Sequence, residues 1–154
     1  MYCQDTVKWL YRIDEDFVWN CRKTLTQDYS FRDRKGIERL VLKADGGIIV
    51  RRDYAWDGCT PKFCLLDILW GVPDGAVHRV TNKPKTYYAS LVHDALYQFL
   101  DDQLPYSRNE ADEFFLQLMQ ETDFTLRGLY YLAVRVFGSL FRWYSMNYGK
   151  KKPR

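Results

Sequence analysis

The chain is poor in the residues that usually announce a metal or redox protein. Its 154 residues include only two histidines, His78 and His93, and four cysteines, Cys3, Cys21, Cys59 and Cys64. No two cysteines form a C-x-x-C pair, so their spacing supports neither a disulfide scaffold nor a structural zinc site. The C-terminal tract Leu126 to Tyr144 is too interrupted to be a bilayer span, because Arg127, Arg135 and Arg142 break it. Met1-Tyr2-Cys3-Gln4-Asp5 lacks the basic-then-apolar layout of a signal peptide, so cytoplasmic synthesis is the expectation. Internal repeats and low-complexity linkers are absent. Acidic residues are absent after Asp123, whereas Arg127, Arg135, Arg142, Lys150, Lys151, Lys152 and Arg154 all lie beyond it, which leaves a cationic, aromatic end.

What is abundant is core material. With 47% apolar and 17% aromatic residues, the chain can bury a sizeable interior as one domain, expected over 1–148, with 149–154 as a disordered basic tail. Val7 to Ile13, Phe17 to Leu25, Ile37 to Lys43 and Ile48 to Arg52 are short, β-branched and aromatic, and read as strands, the last two as a hairpin around Ala44-Asp45-Gly46-Gly47. From Phe63 the period changes. Phe63 to Trp70, Thr86 to Asp101, Asn109 to Thr122 and Leu126 to Tyr144 read as helices. Strands first and helices after give an α+β fold, a small N-terminal antiparallel sheet followed by a helical body.

The residues that point to chemistry lie in two of those helices. Leu91-Val92-His93-Asp94-Ala95-Leu96-Tyr97 sets a histidine beside a carboxylate inside an amphipathic segment. At 100° per residue, Ala89, Val92, Leu96, Phe99 and Leu100 share one face and Ser90, Asp94, Gln98 and Asp101 the other. His93 falls at the edge of the apolar face, and Tyr97 stands one turn beyond it. In the next helix, Ser107 and Glu110 form a capping-box pattern that fixes the helix start and so the rotation of its later turns. Asp112 then sits on the flank of the apolar face, where a carboxylate needs a partner. Three roles are open: pairing with a histidine whose tautomer it would select, pairing with an arginine such as Arg108, or capping a loop. Histidine base, orienting carboxylate and cation-holding carboxylate together make a hydrolytic set.

Other segments carry weaker signals. Tyr54 to Lys62 contains Asp57-Gly58 and Pro61, which favour a fixed, irregular loop whose carbonyls could ligate a hard cation or simply make a tight turn. His78 reads as a surface or loop histidine. Cys64, at an expected helix start, could have a lowered thiol pKa with His93 as its base, the pattern of a cysteine peptidase or amidase. Leu126 to Tyr144 is either a core helix with a solvated basic tail or a helix docking on anionic lipid.

These residues carry two family resemblances. His93-Asp94-Ala95-Leu96-Tyr97, Leu104-Pro105-Tyr106 and Asn109-Glu110-Ala111-Asp112-Glu113-Phe114 resemble the catalytic helix pair of phospholipase A2 enzymes, in particular the compact form in parvovirus capsid proteins, with its H-D-x-x-Y and N-x-A-D-x-x-F motifs. Across Tyr54 to Gly138, the motifs D-G-C-T-P, V-H-D-x-x-Y, A-D-x-x-F and A-V-R-x-F-G resemble an uncharacterised family of phage and bacterial domains. The first resemblance implies that His93 activates water, that Asp112 with Tyr97 orients it, and that Asp94 ligates calcium, which polarises the ester carbonyl. Asp57 and Gly58 stand for the calcium loop, upstream of its place in that family and without the G-x-G spacing.

The expectation is thus a calcium-assisted, phospholipase A2-like ester hydrolase working at a phospholipid or membrane surface. The alternative is a non-catalytic phage accessory, virion or host-interaction protein whose cleft and basic, aromatic surface meet a protein partner. Nucleic acid is the weaker partner, because no base-reading motif accompanies the basic tail.

Overall fold

The β-hairpin at the centre of the N-terminal half joins two short apolar runs, Leu40-Val41-Leu42 and Ile48-Ile49-Val50. The computed structural model describes residues 11–56, 79 and 83–136, and the backbone strands 63–65 and 68–70. β4 (Glu38–Leu42) and β5 (Gly47–Val50) pair antiparallel, with Leu40 opposite Val50 and Leu42 opposite Ile48. These four side chains share one face of the sheet and are fully buried. Gly46 turns the hairpin with φ +90, a conformation that a side chain resists, and a Cβ there would lie 2.9 Å from the Lys23 carbonyl oxygen.

β2 (Phe17–Asn20) and β3 (Tyr29–Arg32) flank this hairpin, giving a four-stranded antiparallel sheet in the order β2-β5-β4-β3. The second strand ends at Asn20, short of the expected Leu25. The Asn20 side chain accepts from the Arg22 backbone N–H at 2.7 Å, and Arg22 takes φ 60, which turns the chain out of the sheet. The sequence reading missed β3, whose alternation lasts only four residues. β1 (Tyr11–Arg12) pairs with β6 (Ala55–Trp56), so the start of the expected Tyr54 to Lys62 loop is strand.

The segment Phe63 to Trp70 corrects the expectation of a helix. β7 (Phe63–Leu65) and β8 (Ile68–Trp70) pair antiparallel, with Phe63 opposite Trp70 and Leu65 opposite Ile68. A short apolar run has no readable 3.6-residue period, and its aromatic and β-branched ends suit strands. Cys64 therefore lies in a strand, and the argument for a thiol activated at a helix start has no helix to act through.

Among the described residues three helices complete an α+β fold: α1 (Tyr87–Gln98), α2 (Arg108–Glu121) and α3, described over residues 127–136. Leu91, Val92, Ala95 and Leu96 of α1 are fully buried, and the helix lies against β4, β5 and α2. The helical period assigns Ser90 to the polar face, yet it is buried. Its hydroxyl accepts from the Trp56 indole N–H at 3.0 Å and donates to the Tyr87 carbonyl at 3.0 Å, which satisfies it in the interior. Sheet and helices share one hydrophobic cluster, from Leu40 and Ile48 to Leu96, Phe115 and Met119. The expected basic tail lies outside the described residues.

α2 begins where the sequence places it. The Ser107 side chain accepts from the Glu110 backbone N–H, and the Glu110 carboxylate accepts from the Ser107 N–H at 2.6 Å. This reciprocal cap fixes the rotation of α2, and with it the direction in which Asp112 points. Ser107→Ala is expected to lower stability by about 1 kcal/mol in urea denaturation. Accelerated amide exchange should be confined to the first turn of α2.

Candidate active site

α1 and α2 bring together the residues that the sequence singled out. His93 lies mid-α1 with Tyr97 one turn on, their ring centroids 4.1 Å apart, and Phe115 of α2 closes over the imidazole at 5.1 Å. His93 Nε2 meets Asp112 Oδ1 at 2.9 Å, and the Tyr97 hydroxyl donates to the same oxygen at 2.5 Å. Asp112 is 0% exposed.

Its second oxygen faces cations. Arg135 Nη1 of α3 lies 3.5 Å from Asp112 Oδ2, and Arg108 Nε lies 3.9 Å from it. Arg108 also donates from Nε to the Tyr97 hydroxyl at 3.0 Å and from Nη2 to the Arg135 carbonyl at 2.5 Å, while Arg135 donates to the Asn109 side-chain oxygen. The two partners left open for Asp112, a histidine and an arginine, are therefore both present, one on each oxygen. Sequence reasoning missed Arg135. Its motif was visible, but nothing in a single chain tells that α3 returns against α2.

The two imidazole nitrogens meet different surroundings. With Nε2–H donated to the carboxylate, Nδ1 carries the lone pair. Nδ1 lies 3.8 Å from Asp94 Oδ1, too far for a hydrogen bond but near enough for charge to act. The Asp94 side chain is 37% exposed, against 10% for His93, so the cluster is deepest at Asp112 and most open at Asp94. Burial is the largest influence on His93 and depresses its pKa. The hydrogen bond to Asp112 and the nearby Asp94 outweigh it, and the net shift is upward. Burial likewise raises Asp112, but the hydrogen bonds from His93 and Tyr97 and the Arg108 charge reverse this and hold its pKa below 3.8. Burial, followed by Asp94, raises the Tyr54 phenol, whose hydroxyl donates to Gln98 at 3.0 Å.

Asp94 is a part-exposed carboxylate beside the imidazole, the donor type that a hard cation takes. Asp57 and Gly58, the other expected cation ligands, lie outside the described residues, as does His78. Among the described residues no three His, Cys, Asp or Glu side chains gather in a metal-binding group.

Residues 60–134 match the family described as protein of unknown function, DUF1353. This agrees with the uncharacterised family expected from the motifs between Tyr54 and Gly138. The DUF1353 match contains His93, Asp94, Tyr97, Arg108 and Asp112 and stops one residue before Arg135. Comparison with curated proteins gave no match, and comparison with solved structures gave none either.

Removing Asp112 would leave the buried imidazole, and the part-exposed Arg108 and Arg135 beside it, without their carboxylate. Asp112→Ala is expected to cost about 3–5 kcal/mol in urea denaturation. The pair also sets a pH dependence. Folding raises the His93 pKa, so its contribution is complete below 6.5 and is lost as the pH rises through the raised value. Folding lowers the Asp112 pKa, so that contribution is complete above 3.8 and is lost as the pH falls through the lowered value. The urea midpoint of the native chain is expected to be highest between these limits, and Asp112→Ala is expected to flatten that profile.

Proposed function

We propose that this chain hydrolyses carboxylic ester bonds of phospholipids, with His93 as general base, Asp112 and Tyr97 orienting it, and Asp94 holding calcium. The observation that carries this reading is the His93–Asp112 pair at 2.9 Å, which leaves the other imidazole nitrogen facing the more open end of the cluster. His93 Nδ1 takes a proton from water as the water oxygen bonds to the ester carbonyl carbon. The carbon–oxygen bond to the alcohol then breaks, and the imidazolium returns the proton to the leaving oxygen. Asp112 keeps the Nε2 proton throughout and stabilises the transient imidazolium. Calcium, held by Asp94 with the Asp57-Gly58 loop, would supply Lewis-acid polarisation of the carbonyl.

A second reading has an observation of its own. Asp112 is shared with Arg108 and Arg135, a cation-rich arrangement that a purely structural cluster also uses. That favours the phage accessory, virion or host-interaction alternative, in which the cluster pins three helices together and a surface elsewhere meets the partner.

Fatty-acid release from mixed anionic vesicles, with calcium and then with chelator, separates the two. Under the hydrolase reading His93→Ala loses about a hundredfold or more in rate. Asp94→Asn weakens the calcium dependence, and Asp112→Asn lowers kcat. The rate of the native chain rises with pH as His93 loses its proton. Release no greater than that of His93→Ala, across several lipids, rejects catalysis in favour of the second reading.

A further inference from the structure

The outward side of α3 carries apolar surface that a core helix would hide. Leu129, Leu132 and Val136 are 61%, 59% and 48% exposed, and Leu126, just before the helix, is 53% exposed. At 100° per residue the first three fall within about 60° of one another on the helix surface. Tyr130 and Val134, on the opposite side, meet the core: Tyr130 is buried and Val134 packs against the hydrophobic cluster. Of the two readings open for this segment, a core helix or a docking helix, the described part has the exposed ridge of the second. Isolated exposed leucines are ordinary, but an aligned row on one helix is an interaction surface.

We propose that this ridge is where the chain lies on an anionic lipid bilayer, α3 resting in the plane of the headgroups. Charge narrows the occupant to an anionic surface. After Asp123 the sequence has seven Lys and Arg residues and no Asp or Glu, five of the seven in the sequence beyond the described part of α3. An aliphatic ridge followed in the sequence by cationic residues alone suits an extended anionic surface, where apolar insertion and headgroup attraction add. The same helix reaches the candidate site, since Arg135 touches both Asp112 and Asn109. A bilayer under α3 is therefore one helix away from His93. The choice of lipid over other anionic surfaces rests on the hydrolase reading, but the docking itself needs no catalysis.

The test is co-sedimentation of the full chain with vesicles of phosphatidylcholine alone and of phosphatidylcholine mixed equally with phosphatidylglycerol. The native chain is expected to partition at least tenfold more strongly onto the anionic vesicles, and added salt should weaken that binding. Leu129→Glu/Leu132→Glu is expected to lose at least tenfold in partition. Leu129→Gln/Leu132→Gln, which adds no charge, should also bind more weakly, and Val18→Glu, a comparable change on β2, should bind as the native chain does. Circular dichroism checks that each variant keeps its helices. His93→Ala is expected to bind vesicles as the native chain does, whereas a native chain that binds without ester hydrolysis would reject the hydrolase and leave the docking surface standing. Equal partition of the native chain and both double variants would overturn the proposal. So would a native dimer that the double variants turn into monomers, because the ridge would then belong to a second copy.

Discussion

A carboxylate with no exposed surface is the constraint around which the helical half is arranged. Left unpaired in the interior, Asp112 would cost several kcal/mol, more than most single contacts return. The structure answers with groups from three helices: His93 and Tyr97 from α1, Arg108 from α2 itself, and Arg135 from α3. Apolar packing between helices tolerates small slides and rotations. A carboxylate whose two oxygens each have assigned partners does not, because a shift in any helix breaks a directional bond. The relative register of α1, α2 and α3 is thus specified at one side chain, and Leu96, Phe115 and Met119 fill the space that this register defines.

Much of this was legible in the sequence, and the reasons are local. The β4–β5 hairpin was readable from two short runs rich in β-branched residues around an Asp-Gly-Gly break. α2 was readable from Ser107 and Glu110, and α1 from the spacing of Val92, Leu96 and Phe99. The buried, partner-seeking position of Asp112 came from the same periodicity. What failed was either too short or too distant to read. Phe63 to Trp70 is apolar at nearly every position, so neither period was visible, and pairing of β7 with β8 decided it. β3 offers only four residues of alternation. Ser90 went inward because Trp56, thirty-four positions away, gave its hydroxyl a partner. Arg135 could be seen as a basic residue on a helix, but its ion pair depends on tertiary docking of α3.

The same polar cluster can serve chemistry or stability, and the distinction lies in its asymmetry. A structural cluster needs every hydrogen-bonding group satisfied. A general base needs one lone pair left facing the reacting molecule while its other nitrogen is held firmly. In the proposed hydrolase His93 would supply this division: Nε2 is anchored on a fully buried carboxylate, and Nδ1 lies 3.8 Å from the part-exposed Asp94. The opposing pKa shifts arise from the same arrangement, since the imidazolium and the Asp112 carboxylate each stabilise the charged form of the other. Both arginines touch the oxygen of Asp112 that His93 does not use. They neutralise the carboxylate without displacing the histidine from it.

α3 joins this buried cluster to the outer surface. Arg135 reaches inward to Asp112, and Leu129, Leu132 and Val136 point away from the core on the same helix. Because each residue advances the helix by 100°, fixing Arg135 fixes the direction of every other side chain on α3. A one-residue slip would turn the ridge by that angle and pull the guanidinium off Asp112 together. The polar cluster therefore sets the outward direction of the ridge in advance, and a surface meeting α3 would find its apolar face already presented, with no rearrangement of the core required.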